Sequence, residues 1–170
     1  SPFPKILMKD PSPMSQTVGH QIAEALADAG VTTMFGVISI HNMPILDAVA
    51  EQGRIRFIPA RGEAGAMNMA DAFSRVTGKL GVALTSTGTA AGNAAGAQAE
   101  ALTAGSRVLH LTTQIDRPWM DRDRAAIHDV PKPPEMLRRL SKAVFRIRDG
   151  MGGLGTRAAA TRVAVAAPTR

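Results

Sequence analysis

The sequence predicts an α/β protein, a parallel sheet with helices on both faces. Three observations support this. Short apolar runs alternate with helix-like stretches along most of the chain. The helix-like stretches end on glycines, at Gly30, Gly53 and Gly78. The 170 residues amount to about one domain and show no repeat of solenoid length.

Residues 1–14 carry four prolines and no periodicity, so an extended arm is expected there, with the domain over 15–170. Ser15 or Thr17 can cap a first helix whose face is Val18, Ile22, Ala25, Leu26 and Ala29. Val31 to Val37 reads as a buried strand. A turn follows at 38–43, and Pro44 opens a helix over Ile45 to Glu51. The second strand is Ile55 to Pro59, followed by a helix from Gly62 to about Thr77. Leu80 to Thr85 is the third strand, and a helix rich in alanine and glycine runs to about Ala104. Arg107 to Thr112 is the fourth strand. Residues 114–134 hold charges and four prolines, and read as a long loop. A short helix is expected over Glu135 to Ala143, a fifth strand over Val144 to Ile147, and a last amphipathic helix over Thr156 to Ala167.

Composition narrows the function classes. Apolar residues make up 45% and charged residues 20%, ordinary for a globular protein. No run of eighteen apolar residues predicts a transmembrane helix, and the N-terminus does not read as a signal peptide. The chain has no cysteine, hence no disulfide framework and no thiolate chemistry. A cytoplasmic location is expected, with no membrane partner. The net charge of +6 lies entirely in residues 116–170, which hold twelve Lys/Arg against six Asp/Glu. The chain has one Trp, five Phe and no Tyr, too few for a stacking platform, so the charge reads as solvated surface and no nucleic acid is expected.

The stretch Arg61-Gly62-Glu63-Ala64-Gly65-Ala66 sets one carboxylate where a strand opens into a helix. Ligands of open α/β sheets bind at such turns. An acid in a first helical turn also complements the macrodipole with no ligand at all, so both readings of Glu63 stand. Gly88, Gly92 and Gly96 recur every fourth residue, which fits close helix packing. Alternatively, Thr87-Gly88-Thr89 offers backbone N–H groups and hydroxyls to a ligand at a helix start. Asn93 is either functional or merely polar. His20 and His110 read as structural, whereas His41 and His128 lie in loops after strands and are the better site candidates. Neither phosphate-loop motif, no zinc spacing of histidines and no nucleophile elbow is found.

Taken together, the motifs resemble the N-terminal domain of thiamine diphosphate-dependent enzymes, in the acetolactate synthase-like branch. The residues that carry the resemblance are Phe35-Gly36-Val37 with Asn42 to Asp47, Arg61 to Ala66, Ala70 to Gly78, Thr85-Ser86-Thr87-Gly88 with Asn93, and Leu111 to Gln114. It spans about Thr17 to Ile147. It implies a flavodoxin-like fold that binds the pyrimidine end of the cofactor through Glu63, Thr87, Gly88 and Asn93. Glu63 would hydrogen-bond the aminopyrimidine ring nitrogen and favour the imino tautomer that deprotonates the thiazolium C2 carbon. The ylid so formed attacks a 2-oxo acid, and the cofactor then serves as electron sink for decarboxylation or carboligation. A carboxyl in that role needs a dry setting, which the small residues around Glu63 are expected to provide. Ile40, His41, Gln114 and His128 would lie on the substrate side.

The pattern departs from the family at several turns. Ile38-Ser39 replaces Pro-Gly, Gly88-Thr89-Ala90 replaces Gly-Pro-Gly, Thr113 replaces a glycine, and His128-Asp129 stands where synthases tend to carry Gln-Glu. The Gly-Asp-Gly…Asn pattern that binds diphosphate and magnesium is missing. The chain is therefore expected to be a fragment of a lyase or transferase, truncated before its domain's last strand, inactive alone, and part of a homodimer or tetramer. A non-catalytic assembly or regulatory module with the same fold is the alternative.

Overall fold

The computed structural model describes residues 17–116, 118–120, 122, 124, 126–147 and 165–166. Helix α1 runs Val18–Asp28, and Thr17 caps it by accepting the amide of His20 at 3.3 Å. Its buried face is Gly19, Ile22, Ala23, Leu26 and Ala27, slightly rotated from the expected stripe, and Ala29 is exposed. Helix α2 spans Met43–Gln52, with proline in its first turn and Gly53 at φ 67° as its stop. Helix α3 is Glu63–Thr77, closed by Gly78, and α4 is Thr89–Thr103. Helix α5, Pro133–Arg138, is shorter and earlier than expected. Among the described residues no helix is long and apolar enough to cross a membrane.

Strands β1 (Thr33–Gly36), β2 (Arg56–Pro59), β3 (Gly81–Thr85) and β4 (Val108–Thr112) are parallel. The sheet order is β2-β1-β3-β4-β5. Successive strand residues point to opposite faces, and this divides the core in two. Met34, Val82, Leu84, Leu109 and Leu111 meet α1 and α2 on one face. Phe35, Ala83 and Val108 meet α3 and α4 on the other. The doubly wound, flavodoxin-like architecture is thus the expected one.

The C-terminal part differs from expectation. Val144 to Ile147 is not a strand; Ile147 packs on the α1–α2 core instead of pairing beside β4. That edge of β4 is taken by β5, Val165–Ala166, which pairs antiparallel with Val108 and Leu109. Those two residues fall inside the helix expected over Thr156 to Ala167; the rest of that helix, the 1–14 arm and Ser15 lie outside the described residues.

Candidate functional site

The connection from β1 through α2 runs to β2 on one side, and that from the neighbouring β3 through α4 runs to β4 on the other. Connections leaving neighbouring strands in opposite directions open a crevice beyond their carboxyl ends. Its two lips touch: the Ser39 hydroxyl donates to Ser86 Oγ at 2.9 Å, and the Val37 amide donates to the Leu84 carbonyl at 3.2 Å. The lip after β1 is held from beneath by Asn42, which is fully buried. Its Oδ1 accepts the Ser39 amide and its Nδ2 donates to the Val37 carbonyl, both at 2.9 Å. Asn42 therefore fixes the turn where Ile38-Ser39 stands for Pro-Gly. Sequence reasoning missed this role; a polar residue just before Met43-Pro44 suggests a helix cap, yet the side chain bonds back into the loop.

The lip after β3 is closed by its own chain. Thr85, Ser86 and Thr87 are buried. The Ser86 carbonyl accepts the Thr112 hydroxyl at 2.5 Å, and Thr87 donates to Gln114 Oε1 at 3.1 Å. Gly88 is the α4 N-cap at φ 52°, and a Cβ there would run into the His128 carbonyl oxygen. Gly88 is thus packed against the His128 loop, whereas Gly92 and Gly96 are exposed. With the Thr87 hydroxyl donated to Gln114, this turn has its backbone groups and the exposed Thr89 hydroxyl to offer a ligand.

Glu63 is the first residue of α3 and is half-buried. Asn93 of α4 donates its Nδ2 to Glu63 Oε2 at 3.2 Å, so two residues thirty apart in sequence meet across the helix pair. Glu63 Oε1 has no partner among the described residues. Ala64, Gly65 and Gly92 around it are exposed, so the small residues do not create the expected dry setting within one chain. Exclusion of water at Glu63 requires another surface on the α3–α4 face.

His41 and His128 meet edge to face with ring centroids 5.8 Å apart, from the loops after β1 and β4. Ile40 is 72% exposed at the rim. His41 and Gln114 also line a cavity of about 740 Å³ walled by Ile22, Leu111 and Phe145. His20 is structural, as expected, joining α1 to α2 through Glu51 at 2.8 Å. His110 is buried in β4, and burial lowers its pKa to about 4.

Asn93 holds Oε2 in place, Oε1 has no partner among the described residues, and the helix start adds backbone N–H groups beside it. Residues 16–133 match the family model described as thiamine pyrophosphate enzyme, N-terminal TPP binding domain. The chain belongs to this family. Within it, the domain is similar to a probable 2-ketoarginine decarboxylase of Pseudomonas aeruginosa, 38% identical over 85 residues, covering 50% of this chain and 15% of that protein. It is 36% identical over 110 residues to an acetolactate synthase of Arthrospira platensis, covering 63% of this chain and 19% of the relative. A sulfoacetaldehyde acetyltransferase of Castellaniella defragrans is 35% identical over 98 residues, covering 58% and 16%. The matches thus place this thiamine pyrophosphate-binding domain in the acetolactate synthase-like branch, and the chain spans less than a fifth of the length of these three relatives.

Proposed function

We propose that this domain holds the pyrimidine end of thiamine diphosphate in an enzyme that decarboxylates or ligates 2-oxo acids. The observation that carries the reading is Glu63 at the start of α3, with one oxygen tied to Asn93 and the other without a partner among the described residues. When bound, the cofactor supplies the nucleophilic carbon and the electron sink for bond changes beside the substrate carbonyl. The chain's own part is to bind and to move one proton. Glu63 Oε1 hydrogen-bonds a ring nitrogen, and the carboxyl shares its proton there. Asn93 keeps the carboxylate from rotating away. The Thr87–Gly88 backbone borders the ring, while Ile40, His41, Gln114 and His128 face the substrate.

The exposed glycines of the α3–α4 face support self-association of two copies there, which would dry the carboxylate. The diphosphate and magnesium contacts come from a further domain or chain, in a cytoplasmic enzyme.

The test is hydrogen–deuterium exchange at the cofactor C2 carbon in the enzyme carrying this domain. Glu63→Gln keeps the shape and removes the titrating carboxyl. Loss of an acid–base contact costs about a hundred to ten thousand-fold in rate. Equal exchange rates with a lowered melting temperature would leave Glu63 as a helix-dipole residue, worth about 0.3–1 kcal/mol. The 170-residue chain, mixed with thiamine diphosphate, magnesium and pyruvate, is expected to release no carbon dioxide above background; sustained release would refute the need for outside contacts.

A further inference from the structure

Helix α4 has an unusual buried face. Its buried residues are Ala90, Ala91, Ala94, Ala97, Gln98 and Ala101. Alanine side chains are short, so they fix the rotation of a helix less than long interdigitating side chains do. Gln98 is the one long side chain on that face, and every polar atom of its amide is bonded. Its Nε2 donates to the Leu140 carbonyl at 3.1 Å and to Ser141 Oγ at 2.6 Å. Its Oε1 lies 2.7 Å from His110 Nδ1.

This bonding sets the state of His110. The amide spends its hydrogens on Leu140 and Ser141, so its oxygen must accept, and Nδ1 of the histidine carries the proton. Nε2 is then an acceptor, 2.8 Å from the Thr85 hydroxyl at the end of β3. Burial keeps the ring neutral, consistent with a pKa lowered to about 4. One imidazole thus joins β3, β4 and α4, and Gln98 extends the link to the segment after α5.

We propose that His110 is a positioning residue which, through Gln98, sets the rotation of α4 and thereby brings Asn93 onto Glu63. Asn93 and Gln98 are five residues apart on α4, so they point to different sides of the helix. With Gln98 fixed inward, Asn93 is aimed at α3, where its amide meets Glu63 Oε2 at 3.2 Å. Released from the clamp, an alanine-faced helix can turn by a small angle and carry Asn93 off the carboxylate. The catalytic consequence rests on the reading of Glu63 given above; the geometric one does not.

The test is nuclear magnetic resonance on the 170-residue chain without cofactor. In the native chain, through-space signals between the Asn93 side-chain amide and the Glu63 methylenes are expected, with His110 protonated at Nδ1. The pair His110→Phe with Gln98→Leu keeps apolar volume and removes the directional bonds. It is expected to fold, with the Asn93–Glu63 signals lost and those of Met67 against the sheet retained. A folded variant that keeps the Asn93–Glu63 signals at native intensity overturns the proposal. Should the pair not fold, Gln98→Met alone is read by the same two signals, with the same meaning. Because no cofactor is present, this result is separate from the C2-exchange test, which can fail by itself.

Discussion

Replacing Gly92 and Gly96 by alanine should act in opposite directions on folding and on association. Both glycines lie on the exposed side of α4, and a Cβ added at either meets nothing within 4 Å. Glycine inside a helix is about 0.8–1 kcal/mol worse than alanine, because its backbone loses more freedom on ordering. With no clash to offset that gain, the double variant should be more stable by about 2 kcal/mol. For a chain of this size that is a rise of roughly 4–8 °C in melting temperature. If two copies meet across α3 and α4, the same methyl groups stand between them and weaken self-association. Calorimetry at high dilution reads the first effect, and sedimentation over a concentration series reads the second. Gly81→Ala is the control, since its Cβ would strike the Ala70 carbonyl of α3, and overpacking of this kind costs about 1–3 kcal/mol. A dilute monomer that melts no higher, or lower, with both alanines in place refutes the open face on a single chain. Unchanged association refutes the face as the contact between copies.

Two further outcomes follow from buried polar groups. His110 takes a proton at about pH 6.5 when unfolded but only at about pH 4 when folded, so its neutral form favours the native state. The associated stability is full above pH 6.5 and is lost as pH falls toward 4, about 3 kcal/mol in all. Urea titrations across that window should show a steeper slope than in the His110→Phe, Gln98→Leu pair, which keeps only the contribution of groups such as Asp71; an identical slope in both refutes the assignment. Asn42→Ala strips the Ser39 amide and the Val37 carbonyl of their partner and should cost about 1–3 kcal/mol. Amide exchange should quicken at Ser39 in that variant, and unchanged protection there would show the turn is held by other means.

Most of the fold is legible along the chain because its signals are local. Gly53 and Gly78 adopt the left-handed stops their positions suggest, Pro44 opens α2, and β1 to β4 each lie within the apolar runs that mark them. Glu63 is likewise legible, since a carboxylate at a strand-to-helix turn can be read from neighbouring residues. Val144 to Ile147 shows the limit: an apolar run has strand character, but whether it pairs depends on which segment occupies the edge of β4. The site shows it further. Asn93 reaches Glu63 only because α3 and α4 pack side by side, and Thr87 turns its hydroxyl inward only because Gln114 comes beneath it. The Gly88, Gly92 and Gly96 spacing suggests one shared face, yet Gly88 leaves the helix and Gly92 and Gly96 remain open to solvent. The sequence by itself therefore determined α1 to α4, β1 to β4, their order and the position of the carboxylate, because short-range sterics and apolar patterning are written residue by residue. Only the tertiary structure decided which polar groups bond one another, because those partners are brought together by packing across strands and helices distant in the chain.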